Sequence, residues 1–189
     1  MISGFTGLTE AFMLNKGFIV ERMKSVYSSC GNETAELYAF IEGSSLWKFF
    51  PFEDHIFFYD LDVKIRKSAD GMSNLHSISR SWVDARFKIP KWRRYKVPNI
   101  VTVGYSSGGF DREMISLVSK HPPYGVGGEK HSMFLVDISE RTFYSAGIEK
   151  TSATAVTGGA VASVTISPGR VNPSNRAYHL INELVSCMQ

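Results

Sequence analysis

Three sets of residues have the types and spacing for chemistry. Asp60 and Asp62 stand two apart in the run Phe57-Phe58-Tyr59-Asp60-Leu61-Asp62-Val63-Lys64. In an extended strand, residues i and i+2 share a face, so both carboxylates project together. Clustered carboxylates are what hard cations need to organise an in-line displacement; the plainer reading is two surface aspartates on a wet sheet face. Gly104-Tyr105-Ser106-Ser107-Gly108 matches Gly-x-Ser-x-Gly between a predicted strand and helix, and Asp137 and His179 follow it in serine-acid-base order. Against this stands an ordinary strand-to-helix turn. Cys30 precedes a predicted helix, with His131 and Asp137 further on. A helix start lowers a thiol pKa, so this order suits a cysteine nucleophile. A structural cysteine and a surface histidine are the simpler account.

Read with Gly43-Ser44-Ser45 upstream and Asp84 downstream, the aspartate pair resembles the pattern of the nucleotidyltransferase superfamily. The resemblance implies a Gly-Ser turn at Ser44 against a nucleotide phosphate, and magnesium held by Asp60, Asp62 and Asp84. The serine motif is similar to the nucleophile elbow of α/β-hydrolases, and the cysteine order to papain-like enzymes.

A different chemistry sits between Arg86 and Lys96, where six cationic residues fall within eleven. Lys88, Lys91, Arg93, Arg94 and Lys96 interleave with Phe87, Trp92 and Tyr95. Cations attract the phosphates of nucleic acid or of anionic lipid. Trp and Tyr suit a bilayer interface or a base-stacking surface. Lys64, Arg66 and Lys67 extend the patch. The alternative is a solvated loop whose aromatics turn into the core.

The elements that position these residues follow from patterning. The 189 residues suffice for one domain with a real core, and the formal net charge is only +3. The apolar fraction of 43% argues against wholesale disorder. Two widely spaced cysteines make neither a disulfide framework nor a zinc site, and suggest reduced thiols in a cytosolic or nuclear setting. The apolar N-terminus is broken by Glu10, Asn15 and Lys16 and makes a poor signal peptide. Helical spacing predicts helices over Thr9–Tyr27 and Glu33–Ile41. Alternation predicts a strand over His55–Ile65, with an apolar face turned to the core and a second face that is wet near its end. Further expectations are a loop at 68–73, a helix from Asn74 to Phe87, a strand at 99–105, a helix at 111–120 and a Pro/Gly loop at 121–130. A hairpin over Ser132–Ile138 and Thr142–Ala146, a mobile loop at 150–160, a strand at 162–167 and a helix from Pro173 to Met188 close the chain. Together they predict a single α+β domain, mainly an antiparallel sheet with flanking helices, divided into a helical part at 1–50 and a β-rich part at 53–189.

From residue 53 onward the order of elements resembles the matrix proteins of rhabdoviruses. The similar part comprises the aromatic strand Phe57-Phe58-Tyr59 ending in Lys64, Arg66 and Lys67, and the helix with Trp82. It continues through the basic turn, the apolar strand Asn99–Ser107, a late strand pair and a C-terminal helix. Pro122-Pro123-Tyr124 lacks the spacer of the family's Pro-Pro-x-Tyr motif, so that role is not carried over. The resemblance implies a non-enzymatic scaffold that needs no cofactor or metal. It would bind an anionic membrane and a ribonucleoprotein through Lys88, Lys91, Trp92, Arg93, Arg94 and Lys96, and would self-associate through 121–130 and 151–159. It would lie in host cytoplasm or nucleus, peripheral to membrane, and in the virion.

Overall fold

The computed structural model describes residues 2–44, 51–63, 66–88, 97–120, 124–125, 130–146, 148–152 and 176–188. Helix α1 (Ile2–Asn15) leads into strand β1 (Ile19–Ser28), and β2 (Gly31–Ser44) and β3 (Pro51–Asp60) follow. Then come α2 (Ala69–Ala85), β4 (Val97–Ser106), α3 (Arg112–Lys120), β5 (Tyr124–Gly125), β6 (Lys130–Asp137), β7 (Thr142–Ser145), β8 (Ile148–Ser152) and α4 (Arg176–Ser186).

The protein is an α+β single domain built on one mixed sheet, in the order β1-β2-β3-β4-β6-β7-β8, with β5 also on β6. Five of its seven pairings are antiparallel, as expected; the two parallel ones, β3–β4 and β4–β6, occupy the centre. Helices α2 and α3 make the crossovers between the parallel strands. They cover one face, over Tyr38, Phe57, Tyr59, Leu75, Ile78, Met114 and Leu135. Helices α1 and α4 cover the other, over Phe5, Phe58, Val103, Phe134, Ile181 and Leu184. The result is a sheet between two helical layers.

That arrangement corrects three expectations. The helix expected over 9–27 stops at Asn15, because Gly17 takes a left-handed φ of 83°. Gly17 N–H reaches the Leu14 carbonyl at 3.0 Å and Phe18 N–H the Met13 carbonyl at 3.0 Å, the paired bonds of a Schellman stop. Residues 33–41 form strand, not helix. The tight turn at Ser29-Cys30 folds β2 back on β1, and β2 then lies between β1 and β3, where pairing overrides the helical preference of Glu, Ala and Leu. So the part at 1–50 is not a helical unit, since two of its elements belong to the sheet. Finally, β3 ends at Asp60, and neither face of its middle is wet: His55 to Tyr59 are all at most 1% exposed. A central strand covered on both sides reads as a continuous apolar run.

Smaller differences are local. Helix α2 starts before Asn74 because Ser68 caps it, accepting the Gly71 N–H at 2.9 Å. Gly71 is required there, since a Cβ would lie 2.6 Å from the Arg66 carbonyl. Residues 148–152 pair with β7 instead of opening the expected loop. The basic run at 89–96, most of the loop at 121–130, and the loop and strand expected within 153–175 lie outside the described residues.

Candidate functional site at the carboxyl ends of the parallel strands

In open sheets with parallel strands, ligands bind beyond the strands' carboxyl ends. Here β3 ends at Asp60, β4 at Ser106 and β6 at Asp137, and α2 and α3 begin at the same edge. The start of β2, paired antiparallel to β3, brings Glu33 and Glu36 alongside.

Asp60 is the hinge of the cluster. Its N–H donates to Glu36 Oε2 at 2.8 Å, and its Oδ1 accepts the Asp62 N–H at 2.9 Å. Arg66 folds back over this turn, donating to Glu36 Oε1 at 2.7 Å, Glu33 Oε2 at 2.8 Å and the Thr34 carbonyl at 3.1 Å. Burial works against the Arg66 charge, but the Glu36 and Glu33 bonds outweigh it and hold its pKa above the usual guanidinium value.

Asp62 crosses to β4. It accepts the Ser106 hydroxyl, the Ser107 N–H at 2.9 Å and the Ser107 hydroxyl at 2.7 Å, and Lys67 Nζ stands 3.3 Å away. Burial pushes this carboxyl up, yet the bonds from Ser106, Ser107 and Lys67 prevail and hold it well below the usual carboxylate range. Lys67 Nζ also donates to Ser106 Oγ at 3.0 Å, so one cation ties the acid to the serine turn. The edge therefore holds Glu36 of β2, Asp60 at the end of β3 and Asp62 in the turn that follows, with Arg66 and Lys67 balancing them. Among the described residues, no three such side chains are already gathered as a metal site.

The structure separates the remaining members of the expected sets. Ser44 pairs with Pro51, nine residues down β3 from Asp60, a distance of roughly 30 Å at strand rise. Asp84 lies in the last turn of α2, roughly 22 Å along the helix from its first residue. Neither can share a cation with Asp60 and Asp62; Glu36 instead bonds the Asp60 backbone N–H. Ser106 is fully buried, bonded to Asp62 and Lys67. Asp137 instead accepts the N–H groups of Ser139 and Glu140 at 3.0 Å, while His179 is exposed on α4 beside Tyr178, so no serine triad forms. Cys30 sits exposed in the β1–β2 turn, not at a helix start, and His131 is buried at the start of β6, at the opposite end of the sheet.

Of the basic stretch, Lys88 is described and exposed; Lys91, Trp92, Arg93, Arg94 and Lys96 lie outside the described residues. The described chain resumes at Val97, the amino end of β4, which lies opposite the carboxylates. Exposed Arg86 stacks on Trp82 at 4.8 Å, a cation–π contact that Lys24 also makes at 5.6 Å.

The sequence reading missed Glu36 because a helix was expected there. It read Arg66 and Lys67 as extending the basic patch, whereas both pair with neighbouring carboxylates. It also missed two buried polar relays. Tyr38 Oη, His55 and Glu53 form one, at 2.8 and 3.2 Å; Thr102, His76 and His131 form the other, at 2.9 and 3.2 Å. No protein-family model, curated protein or solved structure matches this chain.

Proposed function

We propose that the protein is a divalent-cation-dependent enzyme of phosphoryl-transfer or phosphodiester chemistry, acting at the carboxyl edge of β3 and β4. The observation that carries this reading is the charged network where parallel strands end and helices begin: the Asp60 N–H donates to Glu36, Asp60 accepts the Asp62 N–H, and Arg66 and Lys67 pair with Glu36 and Asp62. A hard cation would take these carboxylate oxygens and polarise a phosphoryl oxygen. In its absence Arg66 and Lys67 offset the like charges, and once a cation binds they are free to meet substrate oxygens. The test is thermal melting with magnesium or manganese, since a ligand of the native state stabilises it. The wild-type Tm should rise with the cation. Asp62→Asn and Glu36→Gln should lose that rise. A wild-type Tm indifferent to both cations contradicts the reading.

A second reading, the matrix-type scaffold, is favoured by a separate observation. Exposed Arg86 and Lys88 lead directly into Lys91, Trp92, Arg93, Arg94 and Lys96. In that reading this stretch binds nucleocapsid or anionic lipid, and the protein is peripheral to membrane; no helix among the described residues is long and apolar enough to cross one. Self-association would use the edge of β1 that pairs with no other described strand, where Ile19, Met23 and Tyr27 are 63–66% exposed. Co-sedimentation with RNA and with anionic vesicles tests it. Arg93, Arg94 and Lys96 all changed to Glu should abolish the pelleting of an otherwise folded protein, and unchanged pelleting would remove the scaffold.

A further inference from the structure

We infer that His76 and His131 form a proton-operated clasp that holds α2 on the sheet and lets go when both rings are charged. The inference is independent of the phosphoryl-chemistry reading. His76 lies midway along α2, the crossover between β3 and β4, and His131 lies near the start of β6. Both are 6% exposed. His76 Nδ1 meets the Thr102 hydroxyl on β4 at 2.9 Å, and His76 Nε2 meets His131 Nδ1 at 3.2 Å. The rings tilt 44° to one another with centroids 5.2 Å apart, so they meet through nitrogens and not through stacked faces. One polar line thus joins three elements inside a layer whose other members include Ile100, Met133 and Leu135.

The number of protons decides whether the clasp is closed. Where two ring nitrogens meet, one must carry the proton and the other the lone pair. With both rings neutral, one proton lies in the bridge. A first added proton goes to a nitrogen outside the bridge and leaves a charge-assisted bond in place. A second added proton has only the bridge's own lone pair to take. The bond is then lost, and two like charges face each other in a buried site, where they repel far more than in water. Once α2 lifts from β6, both rings reach solvent and take their protons freely, so acid selects the open form.

The charged groups around the pair can be placed among the described residues. Arg80 and Asp84 follow His76 by about one and two turns of α2. Asp70, Glu113 and Lys120 line the groove between α2 and α3. On this face β4 offers Ile100 and Thr102, neither of which ionises, and β5 pairs with His131 through Tyr124. Lys130 alternates to the other face of β6, where it acts on Asp54. Arg80, a cation one turn from His76, adds to the disfavour of a second charge.

The experiment is nitrogen-15 NMR of the imidazoles in the full chain, titrated between about pH 8 and pH 4.5, with amide exchange followed along α2. Each ring should record two steps, separated by at least about one pH unit, as coupled sites do. At the second step the protection of α2 around His76, corrected for the intrinsic effect of pH, should fall by about tenfold or more. His131→Asn keeps a hydrogen-bonding amide in place of the Nδ1 edge and removes the second charge. There His76 should titrate in one step and α2 should keep its protection. His55→Asn removes a buried imidazole outside the clasp and should change neither reading. Independent, single-step titration of the two rings in the wild type overturns the clasp, whether or not either variant folds. So does an α2 that loses protection equally in His131→Asn, or that loses it only while His55 is present.

Discussion

The two ends of the parallel strands handle polar groups in opposite ways. At the amino end they are sealed. His55 is 1% exposed, between the Tyr38 hydroxyl and the Glu53 carboxylate, and Asp54 is 5% exposed, held by Asn99 at 3.1 Å and Arg176 at 3.1 Å. Burial is the dominant influence there. It pushes the His55 pKa down to about 4, pushes the Asp54 carboxyl up despite Arg176, and raises the Tyr38 hydroxyl. At the carboxyl end the side chains of Asp62 and Lys67 are 23% and 33% exposed, and hydrogen bonds to the charged form outweigh burial. Sealed polar groups specify packing, whereas partly open, charged groups remain available to a ligand. This contrast is why the proposed reading looks to the carboxyl edge.

The contrast can be sharpened first by pH. Unfolded, His55 takes its proton near 6.5; folded, it resists until about 4. Between those values the unfolded chain binds more protons, so stability is full above pH 6.5 and falls as pH drops toward 4. The shift corresponds to about 3 kcal/mol. Urea unfolding at pH 7 and pH 4 should show a loss of that order, and His55→Asn should flatten it. An equal pH slope in the variant would place the titration elsewhere.

A smaller effect is expected at the start of α2, next to the charged edge. Ser68→Ala removes the cap on Gly71 N–H and should cost about 1 kcal/mol. Because Ser68 directly follows Lys67, the same variant should loosen the Lys67–Asp62 pair without deleting a charge. Thermal melting measures the first consequence. An unchanged Tm would mean that water caps this helix as well as serine does.

Much of this contrast was not legible in the sequence. The run from Ile56 to Leu61 announced a strand, and the Asp60/Asp62 spacing marked its end as chemically interesting. What a single strand cannot reveal is its neighbours. Alternation in β3 suggested one wet face, but two helical layers cover its middle, a tertiary fact set by the crossovers through α2 and α3. The local sequence of β2 favours helix, and only its pairing with β1 and β3 makes it a strand and delivers Glu36 to Asp60. Ser44 and Asp84 looked suitable by type and order, yet strand length and helix length carry them to the far end. Conversely, the turn at Ser106-Ser107 was visible as a strand-to-helix junction, while its partner, Asp62, came from the turn after β3 and needed the fold to be found.

The most direct test of the central claim is hydrolysis of bis(4-nitrophenyl) phosphate with and without manganese, comparing wild type with Asp62→Asn and Asp84→Asn. The account predicts manganese-dependent release of nitrophenolate, lowered at least ~10³-fold by Asp62→Asn, because metal-held charge stabilisation is worth several kcal/mol. Asp84→Asn, in the last turn of α2 and far from the cluster, should retain wild-type activity. No manganese-dependent release, or equal damage from the two variants, would contradict it.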